Sequence, residues 1–263
     1  MDHLQDDYLT KLNDFIATFA VMNIIVSPST IPAFNLAAEE YLFSKSGEEF
    51  LLLYRNDPSV IIGSNQAVVN EVDMDYCIEQ NIRVIRRLSG GGAVYHDRGN
   101  FNFSFIRDKS GAPLSARFLD PVVAVLHRLA IPVEVRKRKD LWLNGYKISG
   151  TASHVSRNRE LHHGTLLYDV NQEMLQRALS AENRSLIQKA TASVPSPVMN
   201  IRSYIYAERG EAPETTDFLV LLTREMVIYY GIHEPVSFRD EEIVEIEDLM
   251  RCKYTQRSWN YRM

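Results

Sequence analysis

The sequence predicts an α+β fold, with mixed, largely antiparallel sheets and helices packed on them, and three observations carry that expectation. β-type runs come in close pairs: residues 51–55 and 59–63 flank the turn tripeptide Asn56-Asp57-Pro58, and residues 141–143 and 146–148 flank Asn144-Gly145. The Asn-Gly dipeptide suits a two-residue type I′ turn, because both positions accept positive φ. Residues 100–106 alternate large apolar with small polar side chains, the period of a strand. Helical patterns lie between the strand pairs rather than alternating with single strands, which argues against a doubly wound parallel sheet.

Taken in order, residues 1–21 place Leu4, Tyr8, Leu12, Phe15 and Phe19 on one face of an amphipathic helix. Residues 22–27 read as a first strand. Pro32 precedes a helix over 34–43 that carries Asn35, Glu39 and Glu40. The runs 51–55 and 59–63 are expected to pair. Asp73 starts a short helix ending near Asn81, and 82–85 is β-type. Residues 115–130 form a helix with Phe118, Val122, Val125, Leu126 and Leu129 on one face. A strand over 133–136 is followed by the 141–148 hairpin. Residues 161–168 form a strand, 174–179 a helix, 193–198 an extended segment disfavoured for helix by Pro195 and Pro197, and 216–230 a long helix.

The 263 residues suffice for one sizeable core. A net charge of −5 excludes a general nucleic-acid binder, which would show a basic surface. Cys77 and Cys252 have no metal-type spacing and no disulfide framework, so a reducing cytoplasm is expected. No apolar run reaches transmembrane length. The N-terminus is acidic where a secretory signal would be basic.

The richest segment is Arg86-Arg87-Leu88-Ser89-Gly90-Gly91-Gly92-Ala93-Val94-Tyr95-His96-Asp97-Arg98-Gly99-Asn100. Three glycines lose more backbone entropy than other residues and pack nothing, so they suit close approach of main chain to a ligand. Their N–H groups can face an anion, with the two arginines as a clamp; the bland alternative is a glycine-rich turn with solvated arginines. Lys147 follows the Asn-Gly turn among small and apolar neighbours, Ile148-Ser149-Gly150-Thr151-Ala152, where an ammonium can stabilise phosphate or developing negative charge. Asp140 follows the basic run Arg136-Lys137-Arg138-Lys139 and suits a Mg²⁺ ion beside phosphates. The basic run itself is either a solvated face or a dock for an acidic partner. His162 and His163 are adjacent on a strand and point to opposite faces, so one of them at most serves a given cleft. His96-Asp97 lacks a nearby nucleophilic serine or cysteine, which leaves triad chemistry unsupported.

In these blocks the chain resembles the lipoate–protein ligase A family. Residues 34–40 resemble the family's first helix, Arg86 to Asn100 its signature loop, and Lys139-Asp140-Leu141, Lys147 to Ala152 and His162 to Leu167 its later motifs, in the same order. The resemblance implies the α+β domain shared with biotin–protein ligases and octanoyltransferases. It implies activation of lipoate by Mg-ATP to lipoyl-AMP, then transfer to a lysine on carrier domains: 2-oxoacid dehydrogenase E2 subunits or the glycine cleavage H protein. By the same resemblance, Arg87, Gly92, Ala93, Val94, Tyr95 and Lys147 hold ATP. Ser89, Gly91, His96, His163 and Lys147 hold lipoate, Asp140 holds magnesium, and Lys147 is catalytic. No nucleic acid or membrane partner is implied.

Three departures from the family pattern stand out. Ser193-Val194-Pro195-Ser196-Pro197-Val198 replaces an arginine-bearing run, and Lys139 stands where an asparagine commonly precedes the aspartate. The match leaves 1–21 as an N-terminal extension and assigns 22–263 to the catalytic domain, with the family's small C-terminal accessory domain absent from the sequence. A separate small accessory protein is therefore expected as a partner. The alternatives are an octanoyl or lipoyl transferase working without ATP, which needs a cysteine near the lysine motif, and a non-catalytic lipoate- or carrier-binding protein.

Overall fold

In the computed structural model, described over residues 22–109, 116–156, 158–181, 186–187, 189–194 and 196–262, the large sheet has the order β1-β2-β6-β11-β10. These strands are β1 (Met22–Val26), β2 (Glu49–Arg55), β6 (Asn100–Asp108), β11 (Arg159–Leu167) and β10 (Thr151–Ser156). Only β1 and β2 run parallel; the rest are antiparallel. A second sheet has β3 (Ser59–Ile62) between β4 (Arg83–Arg86), parallel to it, and β5 (Val94–His96), antiparallel. A third, antiparallel sheet joins β7 (Glu134–Val135), β8 (Leu141–Leu143) and β9 (Tyr146–Ser149). The expected α+β class with mixed, largely antiparallel sheets is what the chain adopts.

The period of two in β2 and β6 decides what each face of the large sheet meets. Leu51, Leu53, Phe101, Phe103 and Phe105 pack with α4 (Asp120–Arg128), α6 (Ile201–Arg209) and α7 (Thr215–Tyr230). Leu52, Tyr54 and Ile106 face α1 (Pro32–Ser44) instead. The intervening polar residues of β6 also face inward: Asn100 and Ser104 are fully buried and Asn102 nearly so. That polar face is the floor of the cavity described below.

Helix α1 starts at Pro32, whose missing N–H belongs to the unpaired first turn anyway, and is buried on nearly every side, Asn35 and Glu39 included. Short helices α2 (Val68–Glu71), α3 (Met74–Glu79) and α5 (Gln172–Ala178) cover the second sheet. Asp73 caps α3 by accepting from Tyr76 N at 2.9 Å, as expected. At the C-terminal side, α8 (Asp240–Leu249) and a π-helical turn (Met250–Tyr254) lie against α1, and α9 (Arg257–Asn260) lies against β4. No helix among the described residues is long and apolar enough to cross a membrane.

Several expectations are corrected. Residues 51–55 and 59–63 do not pair: β2 and β3 lie in different sheets. Asn56 is fully buried there, and its side chain bonds to Asn35 and His96. The tripeptide therefore crosses between layers instead of turning back. The helix expected over 115–130 is a 3₁₀ turn (Ala116–Leu119) followed by α4, because Pro121 favours the first turn of a new helix. Helices α2, α6, α8 and α9 and strands β5 and β10 form beyond the elements expected from the sequence. The helix expected over 1–21 lies outside the described residues.

The Asn144-Gly145 turn has φ of 48° and 81°, as a type I′ turn requires. It launches β9, and with it Lys147.

Candidate functional site

Two adjoining cavities, of about 390 and 450 Å³, lie between the glycine loop, β9–β11 and residues 191–194, 196 and 198. Lys147, Gly150, Thr165, Ala93, Val94 and Ser193 line both. Lys147 Nζ lies 3.1 Å from Asp140 Oδ2. Gly150 lies beside that ammonium: a β-carbon there would stand 3.6 Å from Nζ, in ordinary contact. The β9 strand is stitched to the 197–199 segment by Lys147 N donating to Pro197 O at 2.9 Å and Met199 N donating to Lys147 O at 3.3 Å. A cation is thereby fixed at the junction of two chambers, beside one buried carboxylate.

The glycine loop is built differently from the expected anion clamp. Arg87 donates to Gly90 O and Gly92 O, each at 2.7 Å, to Ile61 O at 2.9 Å and to Ser89 Oγ at 2.9 Å. It lines the first cavity, yet its fork holds the loop's own carbonyls. Burial pulls its pKa down to about 10, so it stays charged at neutral pH. Arg86 is fully buried and turns away, donating to Gly63 O, Gln66 O, Trp259 O and Arg262 O. The physical reason is shared: main-chain carbonyls buried without a secondary-structure partner need donors, and a guanidinium fork satisfies several at once, those of the glycine loop for Arg87 and those of the 63–66 turn and the C-terminal segment for Arg86.

Gly91, Gly92, Ala93 and Val94 line the first cavity, Gly91 at φ 87°. Ser193 Oγ accepts from Ala93 N at 2.9 Å, and a β-carbon on Gly92 would press on that hydroxyl. Tyr95 belongs to the second cavity alone, with its hydroxyl toward Met174 Sδ at 3.6 Å and burial raising its pKa. Ser89 is fully buried and lines neither cavity. It bonds to His163 Nε2 at 2.6 Å and so reaches the cavity only through that ring.

His163 lines the first cavity, while His162 faces the other side, stacked on Phe118 with ring centroids 4.5 Å apart. The opposite-face argument holds. On its inner side His163 Nδ1 bonds to Glu39 at 2.9 Å. Glu39 also accepts from the Tyr54 hydroxyl at 3.0 Å and from Ser104 Oγ. Burial pushes the Glu39 carboxyl upward, but the charge and hydrogen bond of His163 and the two hydroxyl donors outweigh it, leaving its pKa below the ordinary value. Nothing local in the sequence gives Glu39 a role: it stands with Asn35 and Glu40 on α1, and its partner His163 lies 124 residues further on.

His96 lines the first cavity, with Nδ1 3.0 Å from Asn56 Nδ2. Of the basic run, Arg138 lines that cavity and Arg136 stacks on Trp142 at 4.0 Å. Cys77 and Cys252 line neither cavity; Cys77 is buried, its thiol pushed up to about 11, and Cys252 is exposed. No group of three or more metal-binding side chains occurs among the described residues.

Residues 31–225 match the model of the lipoyl protein ligase A/B catalytic domain. The chain is 36% identical over 238 residues to lipoate–protein ligase 1 of Staphylococcus aureus, and 35% identical over 236 residues to lipoate-protein ligase LplJ of Bacillus subtilis. Each match covers 88% of this chain and 70% of the relative. It is also 38% identical over 173 residues to the mitochondrial lipoyl amidotransferase LIPT1 of Mus musculus, covering 64% of this chain and 46% of that one. Among solved structures, a putative lipoate protein ligase from Thermoplasma acidophilum with bound lipoic acid superposes with a TM-score of 0.74 at 25% identity, covering 92% of this chain and 99% of that one. The fold is likewise that of a bi-partite lipoate protein ligase from the same organism, at TM-score 0.76 and 24% identity, covering 92% and 97%.

Proposed function

Because the chain belongs to the lipoyl protein ligase A/B catalytic domain family, we propose that it activates lipoate with ATP as lipoyl-AMP and passes the lipoyl group to a lysine of a lipoyl carrier domain. The observation that carries this reading is Lys147 at the junction of two chambers, beside Asp140. One chamber suits an acyl chain, the other a nucleotide, and the reacting groups meet at the ammonium.

In the first step a lipoate carboxylate oxygen attacks the α-phosphorus of ATP. The bond to the pyrophosphate oxygen breaks and pyrophosphate leaves. Charge builds on the α-phosphoryl oxygens, where a fixed ammonium stabilises it in a site shielded from water. In the second step the carrier's amine attacks the lipoyl carbonyl, the bond to AMP breaks, and the amine loses a proton as the amide forms. Lys147 again faces the oxygen that gains charge.

Magnesium fits this donor set, since it is commonly bound through one or two carboxylates plus substrate phosphates. Asp140 is the residue that would hold it, and the ion would neutralise the polyphosphate. Around the nucleotide, the main chain of 92–94 and Tyr95 form the wall. Around lipoate, Gly91, His96 and His163 form it, with Ser89 and Arg87 acting from behind as positioning residues. The acceptors that fit are lipoyl domains of E2 subunits and H proteins.

Likeness to a lipoyl amidotransferase favours a second reading, transfer from one acylated protein to another without ATP. A cysteine-based version has no thiol at either cavity among the described residues. Purified protein with lipoate, Mg-ATP and an apo lipoyl domain tests both. Pyrophosphate release with a lipoyl mass gain on the domain supports the ligase. Modification only from an acylated donor protein supports transfer, and binding without either reaction overturns both.

A further inference from the structure

The imidazole of His96 lines the first cavity, is 3% exposed, and carries a buried Nε2 with no hydrogen-bond partner. Its protonation is determined by a chain of side chains that begins at the main chain. Asn35 Nδ2 faces the carbonyls of Ser29 and Arg55, each at 3.0 Å, while its Oδ1 accepts from Ser27 Oγ at 2.5 Å. Carbonyls only accept, so the orientation of this amide is set. Asn35 Nδ2 also donates to Asn56 Oδ1 at 2.8 Å, which leaves Asn56 Nδ2 as the donor to His96 Nδ1 at 3.0 Å. A ring nitrogen that accepts holds no proton, so the neutral ring bears its hydrogen on Nε2. Burial, with Arg87 and His163 nearby, pulls the ring's pKa down to about 3 and keeps it neutral.

The first cavity is thus lined by a histidine whose one N–H donor the protein leaves unpaired. An unmade bond at a buried donor is costly, and the Ser27–Asn35–Asn56 chain keeps this one in place. Lys147 lines both cavities, so the reacting carboxyl belongs at their junction. Gly150, beside the Lys147 ammonium, donates its N–H to Thr165 Oγ1 on β11; Thr165 pairs with Asn102 on β6, Asn102 with Tyr54 on β2, and Asn56 just beyond β2 holds the His96 ring. His96 thus stands two strands across the sheet from the junction and faces the far part of an acyl substrate.

We propose that His96 is a specificity-determining residue, whose Nε2–H donates to a heteroatom in the distal part of the acyl substrate. The first cavity then selects chains that end in a hydrogen-bond acceptor, such as a sulfur-bearing ring, over a plain fatty acid of the same length. This rests on the acyl-activating function proposed above. A site that hydrogen-bonds one substrate rejects the analogue lacking the group, since its own donor is left stranded. Sulfur is a weak acceptor, so the preference is modest with lipoate and larger with an oxygen in that position.

The test compares kcat/KM for lipoate and octanoate, read as acid-dependent pyrophosphate release, in the parent and in His96→Asn. Asparagine keeps an acceptor for Asn56 near the former Nδ1 and removes the distal N–H. The parent is expected to favour lipoate modestly, by about threefold to tenfold, and the variant to lose that preference. An unchanged ratio overturns the proposal. Calorimetric binding of octanoate, lipoate and 8-hydroxyoctanoate to the parent protein decides it independently of the variant's folding. Tighter binding of both acceptor-bearing acids supports it, and equal binding of all three overturns it. Absence of pyrophosphate release with either acid counts against the ligase reading alone, and the binding series still decides this one.

Discussion

Gly63 lies directly against Gly91: a β-carbon on Gly63 would overlap the Gly91 carbonyl oxygen and press on Gly90. The end of β3 therefore serves as the backing plate of the glycine loop. Two bonds fasten it there, Ser64 N to Ser89 O at 2.8 Å and Arg87 N to Ile62 O at 3.0 Å, while Gly63 N donates to Gln66 Oε1 at 2.8 Å within the turn. Gln66 in turn donates to Thr191 O and Ser193 Oγ on the opposite rim of the cavity.

Gly63→Ala is accordingly expected to displace the loop. The overlapping atom is backbone, so no side chain can swing away. A fall in melting temperature of several degrees, together with at least a tenfold loss of lipoate affinity by calorimetry, is the expected result. Unchanged binding would mean that the loop tolerates the shift and is not held by this contact.

Lys147→Ala should fold normally, because β9 is held here through the Lys147 main chain, which the substitution keeps. Lipoyl-AMP formation should fall by two to three orders of magnitude, the usual cost of removing a preorganised charge stabiliser, about 2.7–4 kcal/mol. Single-turnover adenylation measures this directly. A variant that retains parental rates contradicts the role given to the ammonium.

Arg86→Lys keeps the charge and loses the planar fork. The parent guanidinium bonds to carbonyls from the 63–66 turn and from Trp259 and Arg262, and Trp259 Nε1 donates back to Arg86 O at 2.8 Å. A single ammonium cannot reach both groups. The expected loss is about 2–4 kcal/mol of stability, typical of breaking a buried polar network. Hydrogen exchange should quicken first in α9 and in the 63–66 turn; uniform quickening would deny that Arg86 links them.

His96 also predicts a pH dependence of stability. Its folded pKa, about 3, lies below the ordinary histidine value near 6.5. Protons therefore bind the unfolded chain more readily. The contribution is present above pH 6.5 and is lost progressively as pH falls from 6.5 toward 3. Denaturant melts at pH 7.5 and 4.5 should show the stability gap between parent and His96→Asn narrowing by about 2–3 kcal/mol on acidification. A constant gap would mean that the folded ring takes up its proton over the same pH range as the unfolded chain.

What the sequence determined by itself was local. The Asn144-Gly145 turn, the Asp73 cap, the period of two in β6 and the opposed faces of His162 and His163 all act within a few residues. Geometry over that range follows from φ preferences and side-chain alternation. The neighbourhood of Lys147 was legible for the same reason, since a tight turn and small flanking residues mark it.

The tertiary structure decided the rest, because the partners are distant in sequence. Arg86 meets Trp259 across 173 residues and Glu39 meets His163 across 124, and no local pattern encodes such pairs. Whether Arg87 clamps a ligand or its own loop depends on which carbonyls the fold brings within reach. The same holds for β2 and β3, which look like a hairpin and part because Asn56 is drawn into a buried amide chain with Asn35 and His96. Burial supplies the physical reason: an unpaired polar group away from water costs more than a local turn preference gains, so distant partners overrule nearby ones.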